Sequence, residues 1–558
     1  MRILFLTHSF NSLTQRLWCE LTARGHELSI EFDIADAVAE EAVDLFRPHL
    51  VVAPFLKRAI PASIWSRHVC LVVHPGIPGD RGPSALDWAI LSSSRQWGVT
   101  VLQAEAEMDA GPVWASAAFP MRPARKSSLY RNEVTEAAVV AVLAAVDRFA
   151  GGNFTPPRVP GQAHAPMRQA DRAIDWSAMT TAEVMARLDA ADGFPGVADT
   201  LFGTSCHLFD AWPEDVLRGV PGALLARRET ALCRATVDGA VWIGHLRRAG
   251  GIKLPATLAC PEALALPEAP LDGWWKAGHR TWQDIAYEEA DSVGYLDFAF
   301  HNGAMGTAQC RRLVEAFRWA AARPTRVIVL RGGPDFWSNG IHLNLIEAAD
   351  SPADESLANI EAIDDLAEAV LRCTTHLTVA ALGGNAGAGG CFLARAADLV
   401  WARDGVMLNP HYRNMGNLYG SEFWTYLLPP RVGAEGARAI MRQRLPMTAA
   451  EAVRLGFYDA CLPTTGFAGE VVRRAGDLAA ADDFSARLRQ KAERRAADEA
   501  AKPLTAWRDE ELAEMRRNFY GFDPSYHVAR YHFVTRTPHS WTPRHLARHR
   551  EPDWRIPA

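Results

Sequence analysis

The chain opens on an apolar run, MRILFLT, followed by a polar turn and then by apolar positions gathered on one helical face up to Gly25. An unbroken apolar run suits a strand buried on both faces, and a one-faced helix suits the layer that covers it. Further apolar runs at 50–54 and 70–73 repeat the theme, so residues 1–150 are expected to form a doubly wound α/β domain. A Gly/Pro-rich stretch at 151–166 then breaks the pattern. Short β-rich runs follow in ALLARRE, CRATVDG and AVWIGHLRR, punctuated by Gly and Pro, and predict a small barrel-like subdomain over 151–260. A linker is expected at 261–282. The strand-and-helix alternation resumes over 283–480, where 327–330 and the start of 380–397 are again apolar and each runs into a glycine-containing turn. From 481 to 558 the periodicity is helical with charge on the exposed side, which predicts a helical extension.

A length of 558 residues exceeds one core, and three or four domains are expected. The formal net charge is -6, so no general affinity for nucleic acid is indicated, and Arg227, Arg228, Arg247 and Arg248 read as a solvated face. No apolar run is long enough to cross a membrane and the start lacks a signal-peptide pattern, which predicts a cytoplasmic protein with no membrane partner. Nine cysteines without a C-x-x-C pair predict neither disulfides nor a zinc ribbon. His527, His532, His539, His545 and His549 match no compact ligand spacing, so no metal is expected.

Two glycine turns carry the candidate chemistry of the second half. In AALGGNAGAGGCFLARAA, at 380–397, Gly389 and Gly390 stand at a helix start where amides approach a ligand closely. In VIVLRGGPDFWSNGIHLN, Ser338, Asn339 and Gly340 follow a strand. The pair resembles the enoyl-CoA hydratase/isomerase (crotonase) superfamily. That resemblance implies an oxyanion hole from the amides of Asn339 and Gly389, with Ser338, Gly340 and Gly390 lining a coenzyme A thioester. The two hydratase glutamates are replaced by Phe392 and His411, so hydration of a C=C bond is not expected. Glu422, flanked by Tyr412 and Tyr419 in HYRNMGNLYGSEFW, offers a different acid or base, the alternative being a helix-end charge.

In the first half, LVVHPGIPGDRGPS followed by GVTVLQAEAEMDAGP resembles the folate-dependent formyltransferases. The resemblance maps the family's catalytic histidine to His74 and its aspartate to Asp109, while its asparagine falls on Val72. Asn11, Ser12 and Gln15, in the first strand-to-helix loop, are candidate replacement donors. Taken as a whole, the chain resembles the HypX/HoxX-type maturation factors of NiFe-hydrogenase. This implies 10-formyltetrahydrofolate and coenzyme A as cofactors, and formyl transfer to CoA followed by decarbonylation to carbon monoxide. Partners would be the two small molecules and hydrogenase maturation proteins or the hydrogenase large subunit. A formyltransferase with a regulatory CoA-binding module, and a non-catalytic assembly scaffold, stay open as alternatives.

Overall fold

The computed structural model describes residues 1–556. Its first sheet has the order Glu27–Phe32, Arg2–Thr7, Leu50–Ala53, Cys70–His74, Gln96–Gln103, Val113–Pro120. The first four strands are parallel and the last two antiparallel. Ile3, Phe5, Leu50 and Val52 are fully buried, as expected of a sheet covered on both faces. The helix Ser12–Ala23 lays Leu13, Leu17 and Leu21 onto it.

The second sheet is antiparallel. Its long strand Ala240–Arg248 pairs with Thr204–Glu214 on one side and, in succession, with Ala231–Ala235 and Lys253–Pro255 on the other. Such switching needs strong curvature, and the result is a small open barrel around Leu208, Leu232, Val241 and Ile243. Arg228 departs from the solvated face expected of it. It is buried over the Trp242 ring and donates to the carbonyls of Ala269 and Trp282, pinning the following linker.

The third sheet runs Ile285–Ala290, Val293–Phe298, Val327–Gly332, Leu377–Leu382, Leu399–Arg403, Ala460–Leu462, parallel beyond the first hairpin. A fourth sheet of short strands takes in Phe336–Ser338, Asn385–Gly387, Met407–Asn409 and Met447–Thr448. It collects the two glycine turns and the segment leading to His411.

The extension is α-helical only as far as Thr535, through Phe484–Ala501, Leu504–Tyr520 and Ser525–Thr535. Beyond that the chain returns to the first domain and covers its edge strand. Ile30 N donates to Leu546 O at 2.9 Å and Phe32 N to Thr542 Oγ1 at 2.9 Å. An edge strand needs such a cover. Burial alone would raise the Glu31 carboxyl, but hydrogen bonds from His549, Thr542 and Arg550 hold it below the usual carboxylate range. Its stabilising contribution is therefore present at neutral pH and lost as pH falls through that lowered value. Arg550→Ala is expected to destabilise the first domain by about 1–3 kcal/mol at pH 7. The gap from the parent should close in acid, read as the first thermal transition at each pH.

Candidate functional site

His74 ends the strand Cys70–His74 and is 5 % exposed. Asp109 sits in the turn after Gln96–Gln103 at φ +54°, a left-handed conformation that Asp tolerates better than most residues. Its Oδ2 accepts from Gly82 N at 3.0 Å and lies 3.5 Å from His74 Nδ1. A second carboxylate, Asp80, was not anticipated. Its Oδ2 stands 2.7 Å from His74 Nε2, and its Oδ1 is 3.4 Å from His164 Nε2. A Cβ at Gly76 would lie 2.4 Å from His74 Nε2 and 2.5 Å from Asp80 Oδ2, so only glycine leaves room for this pair. The imidazole is thus held at both nitrogens by acids, an arrangement that fixes its ring plane and gives a proton two places to go.

Of the expected substitutes for the lost asparagine, Gln15 has its amide donor engaged. Asn11 is the N-cap of the first helix, its Oδ1 accepting from Thr14 N and Thr14 Oγ1, each at 3.0 Å. Gln15 donates to Phe10 O at 2.9 Å and accepts from Asn409 Nδ2 at 3.0 Å. It therefore ties the first domain to the second half of the chain. Ser12 opens that helix. Val72 lies two residues before His74 on the same strand face.

In the second half, Asn339 requires a correction. Its amide donates to Gly303 O at 2.7 Å and so is spent on the segment His301–Gly303. The Gly340 amide donates to Ser338 Oγ at 3.1 Å. Ser338, 0 % exposed, also turns its hydroxyl to Met305 Sδ at 3.0 Å. Both residues are structural. Gly390 packs with its Cα against the Ser338 carbonyl, where a Cβ would meet the oxygen at 2.1 Å. Among the described residues, the amides of Gly389 and Ile341 have no protein acceptor. They adjoin, since a Cβ on Gly340 would lie 3.5 Å from Gly389 N. The pair of free donors suited to one carbonyl oxygen is therefore Gly389 with Ile341, the second lying two residues beyond the Asn339 expected.

Glu422 faces this point. A Cβ on Gly389 would fall 1.9 Å from Glu422 Oε1, so glycine is required there and the carboxyl rests directly over the helix start. Glu422 is 1 % exposed; burial first, then the charge of Asp364, raise its carboxyl well above the ordinary range. The Tyr412 hydroxyl is 2.5 Å from Glu422 Oε2, and the ring lies nearly parallel to Phe392 at 5.8 Å and 13°. Phe392, at the hydratase glutamate position, thus serves as the wall behind Tyr412. His411 is buried with both ring nitrogens unpartnered, and burial lowers it to about 4, so it stays neutral at physiological pH. Tyr419 departs from expectation. It is 37 % exposed, packs at a tilt against Trp424 and is not joined to Glu422.

The five C-terminal histidines are dispersed: His527 bonds Phe519 O, His539 stacks on Phe32, and His549 bonds Ser29 and Glu31. A different trio, Asp210, His245 and His301, brings ligand atoms within 4.8 Å of one another. Arg125 already lies 2.8 Å from Asp210 and Lys253 3.4 Å from His301, so protein cations fill the place a metal would take.

Comparison with known proteins finds family models along three stretches of the chain. The formyl transferase family model matches residues 23–146, its C-terminal domain model residues 166–260, and the enoyl-CoA hydratase/isomerase model residues 296–518. The methionyl-tRNA formyltransferase of Burkholderia multivorans is 30 % identical over 254 residues, covering 42 % of this chain and 76 % of that protein. The crystal structure of HypX from Aquifex aeolicus in complex with tetrahydrofolic acid superimposes with a TM-score of 0.98 at 48 % identity, covering all of both chains. The hydrogenase maturation factor HoxX of Bradyrhizobium diazoefficiens is 55 % identical over 561 residues, spanning 99 % of this chain and 97 % of that protein. No helix among the described residues is long and apolar enough to cross a membrane. With formyltransferase-like and crotonase-like halves on one chain and a full-length match to both relatives, the chain belongs to the HypX/HoxX family of hydrogenase maturation factors.

Proposed function

We propose that this protein moves the formyl group of 10-formyltetrahydrofolate to the thiol of coenzyme A and then splits formyl-CoA into carbon monoxide and CoA for the hydrogenase iron. One observation carries the reading: a buried carboxyl, Glu422, rests over the free Gly389 amide where a hydratase would present its glutamates from other positions. The reaction needs a hole for the carbonyl oxygen, a proton for the leaving sulfur and an acceptor for the formyl hydrogen. Gly389 and Ile341 would hold the oxygen. A protonated Glu422 would give its proton to sulfur as the C–S bond breaks, leaving a carboxylate that takes the formyl hydrogen while the C–H electron pair becomes the carbon lone pair of CO. The group ends as it began, which suits a carboxyl held above the ordinary range.

The first step would fall to His74, Asp109 and Asp80, which can accept the thiol proton and steady the tetrahedral state. Tetrahydrofolate in the Aquifex aeolicus HypX crystal structure supports a folate ligand for the formyltransferase half. A cavity of about 260 Å³ at the meeting of the three domains, lined by Arg125, Arg131, Asp192, His301, Asn302 and Phe336, would suit part of the CoA chain. Arg131 lies over the Phe336 ring at 4.6 Å, with Asp335 at 3.7 Å and Asn302 Oδ1 at 3.4 Å. A cytoplasmic setting and docking to hydrogenase precursors or maturation proteins belong to the same reading.

CoA as acceptor is tested by following tetrahydrofolate release from 10-formyltetrahydrofolate with and without CoA. Release should depend on CoA; equal release without it would point instead to a formyltransferase whose CoA module is regulatory.

A further inference from the structure

Glu422 and Phe423 both have φ +60°, two consecutive left-handed residues without a glycine. Each such residue is worth on the order of 1–3 kcal/mol of strain and persists only where its surroundings over-determine it. Here they do. Glu422 N donates to Asp364 Oδ1 at 2.8 Å and Ser421 Oγ to Asp364 Oδ2 at 2.7 Å. Phe423 N donates to Glu511 Oε2 at 2.9 Å, and Thr425 N and Oγ1 to Glu511 Oε1 at 2.8 and 2.5 Å. Asp364 and Glu511 are both 0 % exposed, and they come from different helices, Pro352–Arg372 and Leu504–Tyr520.

We propose that Asp364 and Glu511 are positioning residues: a pair of buried carboxylates that grip successive amides of the 421–425 turn, hold it in its strained form and keep the Glu422 carboxyl protonated over Gly389. The proposal rests on the reading of Glu422 as the proton donor. It makes the C-terminal extension part of the second site, since Glu511 is supplied by it.

Proton counting in the cluster agrees. The Tyr412 hydroxyl oxygen lies 2.5 Å from Glu422 Oε2 and 3.0 Å from Ser421 O, and it owns one hydrogen. Both contacts are hydrogen bonds only if a protonated Glu422 donates to Tyr412 and Tyr412 donates to Ser421 O. Around this chain stand the carboxylates of Asp364 and Glu511, the buried thiols of Cys310 and Cys391, and Arg508, 4.0 Å from Asp364 Oδ2. Burial raises Asp364 and Glu511 as well, each opposed by donors that favour the charged form. Burial and the charge of Asp364 raise Glu422 well above the ordinary range, so the proton shared by the cluster rests there.

The test is an infrared pH titration of the full-length protein, following the C=O stretch of a protonated carboxylic acid that Glu422→Gln removes. In the parent the band should persist above neutral pH. In Asp364→Asn and in Glu511→Gln it should vanish at lower pH, by roughly one unit or more. In the same variants kcat for CO from synthetic formyl-CoA should fall at least tenfold above neutral pH with KM and tetrahydrofolate release unchanged. The variants lie on separate helices, so a folding defect in one leaves the other to decide. An unmoved band in the folded variants would overturn the proposal. A parent that makes no CO from formyl-CoA would overturn the decarbonylation reading, while the titration would still decide the clamp.

Discussion

In the Glu422→Gln protein, tetrahydrofolate is expected to be released at the parental rate while carbon monoxide production falls by roughly 10²- to 10⁴-fold, the usual range for loss of a positioned proton-transfer group. Gln keeps the size of the side chain and can still meet Tyr412, but it cannot pass a proton at neutral pH. Formyl-CoA, or formate from its slow hydrolysis, should accumulate. The variant is informative because Glu422 is buried and its neighbours are acids: an amide, uncharged like the protonated acid it replaces, should not unfold the site. CO at the parental rate would make Glu422 a structural acid and move the search for the donor to Tyr412.

Asp109→Asn should have the complementary effect. Asp109 lies 3.5 Å from His74 Nδ1 and is itself oriented by the Gly82 amide. An amide there no longer stabilises positive charge on the ring, and tetrahydrofolate release is expected to fall by roughly 10²- to 10⁴-fold. Supplying synthetic formyl-CoA should restore CO without folate, because the second site is untouched. Failure of that rescue in a folded variant would argue against two sites acting in series. Asp80, which meets the other ring nitrogen, is expected to matter as much as Asp109, and a single substitution there would show whether one acid suffices.

The strands were legible because each is a local apolar run, and the glycine turns because close backbone approach leaves few alternatives to glycine. His74 and Asp109 were legible from their motifs. The availability of a donor was not, since it depends on a count of partners that only the fold supplies: the Asn339 amide is spent on Gly303, the Ser338 hydroxyl on Met305, and the Gln15 amide on Phe10. Asp364 and Glu511 escaped notice for a related reason. On their own helices they look like ordinary surface acids, and only packing of 352–372 and 504–520 against the 421–425 turn buries them. Asp80 was visible in HPGIPGDRGPS, six residues after His74, but nothing local says that the loop folds back onto the imidazole. The return of 541–550 to the first domain likewise joins segments more than 500 residues apart.

The central claim is that one carbon atom passes through both sites. It is tested most directly by giving the purified protein CoA and 10-formyltetrahydrofolate labelled with ¹³C in the formyl group, and measuring ¹³CO and tetrahydrofolate together. The account predicts labelled CO and tetrahydrofolate in equal amounts, both requiring CoA. Tetrahydrofolate with labelled formate and no labelled CO would contradict it.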